Sequence, residues 1–244
     1  MLDLVRVQSE QSITRVTLCR AEKGNSLSSE MVAALTAIVR RCYEDGTTLL
    51  VLAGDGRHFC TGFDLGELDQ ETDDTLMARF VRIELLLQAL NAAPFITAAL
   101  GQGRIVGAGA DIFAACKRRI LIGDARLRFP GAAFGLVLGT GRLARIVGVD
   151  KACEWVGSGR WIARDEASAA GLCTACLDEA GVFPFVEELA NESVRLDAAT
   201  RSGVYAAAGA GRHSAEDLEA LVLSAARPGL RDRIQAFRDA AVQK

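Results

Sequence analysis

The stretch Gly103-Arg104-Ile105-Val106-Gly107-Ala108-Gly109-Ala110-Asp111 decides the fold of this chain. It places small residues where a predicted buried strand passes into a helix, so the backbone can turn tightly there. The first N–H groups of a helix lack partners within the helix and favour an anion. Asp111 follows Ala108 by three residues and should therefore lie on nearly the same helix face. Close packing of strand against helix would also require small residues here. A dinucleotide-binding loop fits poorly, because the glycine after Gly101-x-Gly103 comes too late, at Gly107.

A second glycine segment, His58-Phe59-Cys60-Thr61-Gly62-Phe63-Asp64-Leu65, has the same character. Gly62 permits the turn and Phe63 supplies a candidate N–H donor. Asp64 is expected to cap a short helix that begins at Leu65. A plain surface turn is the alternative, since Gly-x-Asp turns are common. Two such loops could aim two N–H donors at one oxygen, which is the minimum needed to stabilise an enolate or oxyanion.

Composition limits the protein class. The 244 residues are 50% hydrophobic, enough for one large α/β domain with or without a helical appendage. The net charge of −3 and the lack of a basic stripe argue against nucleic-acid binding. We see no secretory signal and no apolar run of the roughly 18 residues that a membrane span needs. Seven scattered cysteines favour a reducing cytoplasm. Cys173-Thr174-Ala175-Cys176 is interpreted as packing rather than a zinc site, with its two thiols on opposite faces of a strand.

The order of elements alternates strands and helices up to about Gly141 and is almost entirely helical beyond it. Apolar runs predict strands at 4–8, 13–18, 48–53, 95–100, 119–122 and 173–177. Helical spacing predicts helices at 28–42, 73–91, 107–116, 142–147, 151–156, 164–170, 182–196, 215–226 and 234–242, with Ser28 as an N-cap. This repeating ββα order implies a sheet covered by helices.

Three segments in this order resemble the enoyl-CoA hydratase/isomerase (crotonase) superfamily. They are Lys23-Gly24-Asn25-Ser26-Leu27-Ser28, the run from Val51 to Leu65, and the run from Gly103 to Cys116. The likeness continues into Gly171-Leu172-Cys173 and the helical tail, so it covers nearly the whole chain. Any one segment alone would be weak evidence, whereas all three at the right separations are specific.

The resemblance implies a crotonase-like ββα spiral core over residues 1–190 and a C-terminal helical trimerisation region over 191–244. It implies an acyl-CoA substrate, no cofactor apart from the coenzyme A of that substrate, no metal, and a homotrimer or dimer of trimers. Carried over by position, Phe63 and Ala108 are the N–H donors to the thioester oxygen, and Asp111 is the acid/base. The expected substrate-binding residues are Cys60, Thr61, Gly62, Asp64, Leu65, Gly107, Gly109 and Gly131. The acyl pocket is expected to be lined largely by residues 64–83.

The sequence departs from this family at both acid/base positions. Hydratases of the family use two glutamates; the first is replaced by the shorter Asp111 and the second aligns with Gly131, which has no side chain. Asp111 lies near a helix N-terminus, so we expect it to be stabilised as the anion. His58 and His213 are interpreted as loop residues. Five other carboxylates are expected on solvated helix faces: Glu67, Glu71, Asp73, Asp74 and Glu84.

We therefore expect an enzyme acting on acyl-CoA thioesters by one-base isomerisation, C–C cleavage or decarboxylation rather than by ordinary hydration. The alternative is a catalytically idle member that binds acyl-CoA or serves as a partner subunit. A third possibility is a substrate that does not contain coenzyme A.

Overall fold

The structure, a computed structural model, describes residues 4–242 and is built on one seven-stranded sheet. The strands are β1 (Val5–Glu10), β2 (Ile13–Leu18), β3 (Leu49–Gly54), β4 (Ile96–Val106), β5 (Arg118–Arg128), β6 (Ile162–Ala163) and β7 (Ala175–Leu177). The order across the sheet is β1-β2-β3-β4-β5-β6, and β7 also pairs with β5. β1 and β2 form an antiparallel hairpin, whereas β2 through β5 are parallel. The expected α/β class is confirmed.

Within residues 4–242, ten α-helices accompany this sheet. They are α1 (Ser29–Cys42), α2 (Asp73–Ala92), α3 (Ala108–Ala115), α4 (Thr140–Val147), α5 (Val149–Ser158), α6 (Arg164–Ala169), α7 (Glu179–Ser193), α8 (Ala198–Ala207), α9 (Ser214–Ala225) and α10 (Leu230–Val242). Ser28 caps α1 by accepting the Met31 N–H at 3.2 Å, as its sequence position predicts. Such a cap stabilises a helix by about 1 kcal/mol.

Both faces of β3 are buried, which explains why its sequence is apolar without interruption. Leu50 and Leu52 face the main core, where α1, α2 and α3 pack. Leu49 and Val51 face the opposite side and pack with Val186 of α7. Successive side chains in a strand point to opposite faces, so a strand covered on both sides needs apolar residues at every position.

β4 and β5 are each 11 residues long, about twice the length that apolar content alone predicts. Their pairing shifts register between Gln102 and Arg104, where Gly103 adopts φ +57°. Beyond this bulge the two strands pair again, Arg104 with Arg126 and Val106 with Arg128. The predicted strands end too early because the C-terminal parts of β4 and β5 contain polar residues, including arginines. The greater length of β4 matters for the site, because β4 ends at Val106 and α3 begins at Ala108.

The part of the chain after β5 contains a helix that the sequence did not predict, and it changes the interpretation of Cys173 and Cys176. α8 has no counterpart among the predicted helices. Cys173 lies outside β7, so the chain turns there and brings its Sγ to 3.3 Å from that of Cys176, instead of placing the two thiols on opposite faces. The expected boundary between 190 and 191 falls within α7.

None of the helices between residues 4 and 242 is long and apolar enough to cross a membrane.

Candidate active site

An elongated cavity of about 310 Å³ opens between the two glycine segments and the helical region. Eight of the residues expected at the site line this cavity: Thr61, Gly62, Phe63, Leu65, Gly107, Ala108, Asp111 and Gly131. Cys60, Asp64 and Gly109 do not line this cavity. Cys60 is fully buried, and burial raises the pKa of its thiol to about 12. Gly109 packs on Cys60, and a β-carbon on Gly109 would lie 2.8 Å from the Cys60 Sγ.

The two glycine segments meet at Gly62. Its φ of +93° is in the region that favours glycine, and a β-carbon there would lie 2.7 Å from the Val106 carbonyl oxygen and 3.5 Å from the Ala108 nitrogen. A bridge between Cys60 and Ile105, with the Val106 N–H donating to the Cys60 carbonyl at 3.0 Å, holds the segments side by side. The Phe63 and Ala108 N–H groups therefore belong to neighbouring pieces of one cavity wall.

Neither of these two N–H groups donates a hydrogen bond to another group within residues 4–242. Ala108 is the first residue of α3, so its N–H has no partner in the helix. The residues on either side of Phe63 both bond to Leu27. The Asp64 N–H donates to the Leu27 carbonyl at 3.2 Å, and the Leu27 N–H donates to the Gly62 carbonyl at 2.8 Å. The Phe63 N–H takes part in neither bond. Buried N–H groups without a partner are costly, so these two are available to donate hydrogen bonds to an oxygen of a bound molecule.

Asn25 holds the first segment in place, a role that the sequence reading missed. Its side chain is fully buried, accepts the Arg20 N–H at 2.9 Å and donates to the carbonyls of Asp55 and His58 at 2.9 and 2.7 Å. Its own φ is +56°. Asn tolerates this left-handed conformation better than most residues, and its place after Gly24 is the signal in the sequence.

The aromatic ring of Phe63 is fixed by its neighbours. It stacks on Phe80 with 4.4 Å between ring centres, and the guanidinium carbon of buried Arg79 lies 4.1 Å from the Phe63 ring centre. Arg79 forms an ion pair with Glu71 at 2.5 Å. These contacts leave Phe63 little freedom, so its backbone N–H keeps one direction.

Asp64 differs from its expected role as a helix cap. No helix begins at Leu65; a short 3-10 helix begins only at Leu68. Asp64 instead accepts the Gly66 N–H at 3.0 Å and forms an ion pair with Arg20 at 2.8 Å. Although burial acts to raise it, these hydrogen bonds hold the pKa of Asp64 below its usual value. The residue closes the loop rather than facing the cavity.

Asp111 is the ionisable carboxyl that lines the cavity, and it is 95% buried, with 5% of its surface exposed. Burial raises the pKa of Asp111 well above its usual value; Arg142 opposes this, and Glu84 adds to it. The expectation of an anion stabilised by the helix N-terminus is wrong, because loss of solvation outweighs the helix dipole. The raised pKa favours the neutral carboxyl over the anion.

A buried group of charges lies behind Asp111. Arg142 of α4 pairs with Glu84 of α2 at 2.9 Å and with Asp217 of α9 at 3.3 Å, and Arg145 also pairs with Asp217. The two arginines balance the two carboxylates. An ionised Asp111 would add a negative charge with no counterpart, which agrees with its raised pKa.

Glu84 contradicts its expected place on a solvated helix face, since it is fully buried. A signal was present: Glu84 follows Phe80 by four residues and precedes Leu87 by three, within the apolar stripe of α2. Two other carboxylates are also paired, Glu71 with Arg79, and Asp73 with the N–H groups of Gly229 and Arg231 at 2.8 Å. Glu67 and Asp74 are exposed as expected.

Most of the cavity wall comes from a part of the chain that the sequence did not indicate. Residues 64–83 contribute only Leu65 and Phe80. The remaining wall includes Phe129, Pro130, Phe134, Leu136, Leu138, Val156, Trp161, Ile234 and Phe237. Gly131 begins a 3-10 helix on this wall and brings no side chain to face Asp111.

Comparison with known proteins identifies the family. The Enoyl-CoA hydratase/isomerase family matches residues 8–210, and the chain belongs to it. A Bacillus subtilis (strain 168) protein described as a probable enoyl-CoA hydratase is 34% identical over 174 residues, 68% of this chain and 67% of that protein.

Solved structures agree with the fold. An enoyl-CoA hydratase/isomerase homologue from Bordetella parapertussis is 40% identical, with a TM-score of 0.93 over 96% of this chain and 98% of that one. An enoyl-CoA hydratase homologue from Thermobifida fusca YX, solved with acetoacetyl-CoA, has a TM-score of 0.76 over 98% of this chain and 94% of that one at 23% identity. The crotonase-like fold is therefore confirmed.

Proposed function

We propose that this chain processes acyl-CoA thioesters by holding an enolate oxygen between the N–H groups of Phe63 and Ala108. The observation that supports the proposal is the close approach of the two glycine segments: a β-carbon on Gly62, the residue before Phe63, would lie 3.5 Å from the Ala108 nitrogen, and Phe63 and Ala108 line one cavity. As electrons move from the α-carbon onto the carbonyl oxygen, these fixed dipoles stabilise the growing charge. The loss of one such donor typically lowers the rate by about 10²–10³-fold.

Asp111 provides the proton in this proposal. A protonated carboxyl cannot begin a reaction as a base, but it can deliver a proton to the α-carbon of an enolate. Decarboxylation suits that state: the bond between the α-carbon and a carboxylate breaks, CO₂ leaves, and the electron pair enters the thioester carbonyl. The Asp111 proton then adds to the α-carbon, and water returns a proton to Asp111. C–C cleavage or a double-bond shift that starts by proton removal would need Asp111 ionised.

Ordinary hydration is disfavoured because it needs two carboxylates around one water. Gly131 supplies none, and Asp111 is the one carboxyl on this cavity wall in the described chain. Loss of a positioned acid or base typically costs about 10²–10⁴-fold in rate.

The direct test is a panel of malonyl-, methylmalonyl-, β-oxoacyl- and crotonyl-CoA assayed with the wild type and Asp111→Asn. We expect turnover of a 2-carboxyacyl-CoA in D₂O to place deuterium on the α-carbon, and Asp111→Asn to lower the rate by about 100-fold or more. Equal rates in the variant would remove Asp111 from the mechanism. Conversion of crotonyl-CoA at the rate of the best substrate would contradict the preference against hydration.

The missing carboxylate at Gly131 also favours a second candidate, a catalytically idle member that binds acyl-CoA. That function predicts binding of acyl-CoA by calorimetry with no turnover of any panel member. If neither acetyl-CoA nor any other thioester bound, a substrate without coenzyme A would be indicated.

The proposed assembly is a homotrimer or dimer of trimers formed by the C-terminal helical region. Large apolar side chains are exposed in this region, including Val194, Val204 and Leu223, and assembly would cover apolar surface of this kind. Light scattering of the full chain is expected to give three or six times the monomer mass.

A further inference from the structure

Three arginines surround one indole ring at an edge of the cavity. The guanidinium carbons of Arg104, Arg126 and Arg128 lie 6.0, 4.5 and 5.9 Å from the centre of the Trp161 ring. Arg128 also donates its Nε hydrogen to the Gly159 carbonyl. An aromatic face attracts each cation and holds it in place without neutralising its charge.

This basic cluster, Arg104, Arg126 and Arg128, has no acidic partner among residues 4–242. No carboxylate in residues 4–242 lies within 4.0 Å of any of the three guanidinium groups, although Asp124 and Glu179 line a polar cavity that Arg104 and Arg126 also line. Arg104 and Arg126 are direct cross-strand neighbours in the ladder of β4 and β5. Like charges directly opposite one another destabilise a sheet, so this arrangement does not serve stability.

The histidine beside the cluster does not add to its charge. The Nδ1 of His58 accepts the backbone N–H of Arg104 at 3.1 Å. Burial, followed by the positive charges of Arg104 and Arg57, lowers the pKa of His58. The imidazole is therefore neutral at pH 7, and the positive potential comes from the arginines.

The basic cluster reaches the cavity that holds the two N–H donors. Arg104, Arg128 and Trp161 line that cavity together with Phe63 and Ala108. The Gly107 N–H donates to the Arg128 carbonyl at 2.8 Å, so the backbone of Arg128 lies beside the residue that precedes Ala108. An anion bound by the arginines would therefore share the cavity with a thioester bound at the two N–H groups.

We propose that this basic cluster recognises a carboxylate at the far end of the acyl group, so that the preferred ligands are CoA thioesters of dicarboxylic acids. The inference rests on the proposed function for the position of the thioester. Arg104 and Arg128 bind the carboxylate directly, and Arg126 keeps the surrounding potential positive. The rest of the cavity wall is largely apolar. An uncharged acyl chain would pack against such a wall without any need for guanidinium groups nearby.

The test compares pairs of thioesters that differ only in the terminal group. Succinyl-, glutaryl- and adipoyl-CoA are each titrated against the analogue in which an isopropyl group replaces the carboxylate, for glutaryl-CoA the 5-methylhexanoyl thioester. Both members carry the same coenzyme A phosphates, so the ratio of their Kd values isolates the carboxylate. We expect at least one pair to favour the dicarboxylic member by about tenfold or more, the range for hydrogen bonds to charged groups.

Arg104→Met and Arg128→Met should each reduce that ratio to about threefold or less, since one charged hydrogen bond is lost. Arg40→Met, on the exposed face of α1, should leave it unchanged. Circular dichroism of each variant checks that the chain is folded.

Three results would overturn the inference. The first is a Kd ratio near one for every wild-type pair. The second is an equal loss of affinity for both members of a pair and for coenzyme A itself in the arginine variants, which would place the phosphates there. The third is absence of binding by any thioester, which would overturn the proposed function as well; the first two leave that function standing.

Discussion

Gly139 and Asp111 are in direct contact: a β-carbon on Gly139 would lie 2.8 Å from the Asp111 Cγ and closer still to Oδ1. Gly139 precedes α4 with φ +67°, and Asp111 lies in the first turn of α3. The loop before α4 therefore forms the floor beneath the cavity carboxyl. The lack of a side chain at Gly139 lets that carboxyl occupy its position.

Gly139→Ala is expected to displace the Asp111 carboxyl and lower turnover about 100-fold, the effect of misplacing a reacting group by about 1 Å. The unfolding free energy should fall by more than the 1–2 kcal/mol that a left-handed residue costs by itself. Urea denaturation and steady-state kinetics measure the two effects. Gly171→Ala, at φ +75° with open space around it, is the matched control and should show the backbone cost alone. Equal loss of activity in both variants would contradict the contact.

The raised pKa of Asp111 predicts how activity depends on pH. Because the reaction uses the neutral acid, the rate should be constant below the raised pKa of Asp111 and fall as the pH passes above it. A rate that increases with pH through the neutral range would show that Asp111 works as a base.

The raised pKa of Asp111 also predicts how the unfolding free energy depends on pH. Above the pKa of an Asp in the unfolded chain, about 3.9, the folded state keeps a proton that the unfolded state has lost. The unfolding free energy therefore falls as the pH rises from there to the folded pKa, by about 1.4 kcal/mol for each unit of elevation. Asp111→Asn removes this term, so the variant should be inactive yet gain stability over the wild type as pH increases. Urea denaturation between pH 4 and pH 8 measures this difference.

Replacing Gly131 tests the missing second carboxylate. A β-carbon there would meet only the Leu136 carbonyl, at 3.3 Å, and Gly131 does not adopt a positive φ, so a side chain requires a shift of a few tenths of an ångström in that carbonyl. Gly131→Glu should raise the rate of crotonyl-CoA hydration by about 100-fold over the wild type, the lower end of general acid–base effects. Gly131→Gln has the same shape and should give no increase. A rise in both variants would point to a packing effect.

The buried pair of Arg142 and Glu84 should be costly to break. Arg142→Met leaves Glu84 buried without its partner and should lower the unfolding free energy by about 3–5 kcal/mol. Arg118→Met breaks the half-exposed pair with Glu192 and should cost no more than about 1 kcal/mol. Denaturant titration of both variants provides the comparison. Similar losses in the two would indicate that burial does not set the value of the Arg142 pair.

The sequence predicted what local patterns encode. The helix over 73–91 is confirmed as α2, and the two glycine segments meet as the resemblance to the crotonase superfamily implied. Asp111 and Glu84 were misjudged because their charge states depend on burial and on Arg142. That residue lies 58 positions beyond Glu84 in the chain and is brought near by packing of α4 against α3 and α9. Similarly, the wall formed by Phe129, Trp161 and Phe237 has no local signal.

The long parallel ladder of β4 and β5 fixes a distance as well as a shape. Arg104 and Arg128 are part of the same hydrogen-bonded ribbon that leads into the Ala108 N–H, and a strand advances by about 3.3 Å per residue. The spacing between the basic cluster and the two N–H groups is thus set by backbone geometry and not by a flexible loop. If the basic cluster binds an acyl carboxylate as proposed, we expect the preferred acyl length to change in steps of one strand residue, when a strand is shortened or its bulge moves, rather than by small adjustments of side chains.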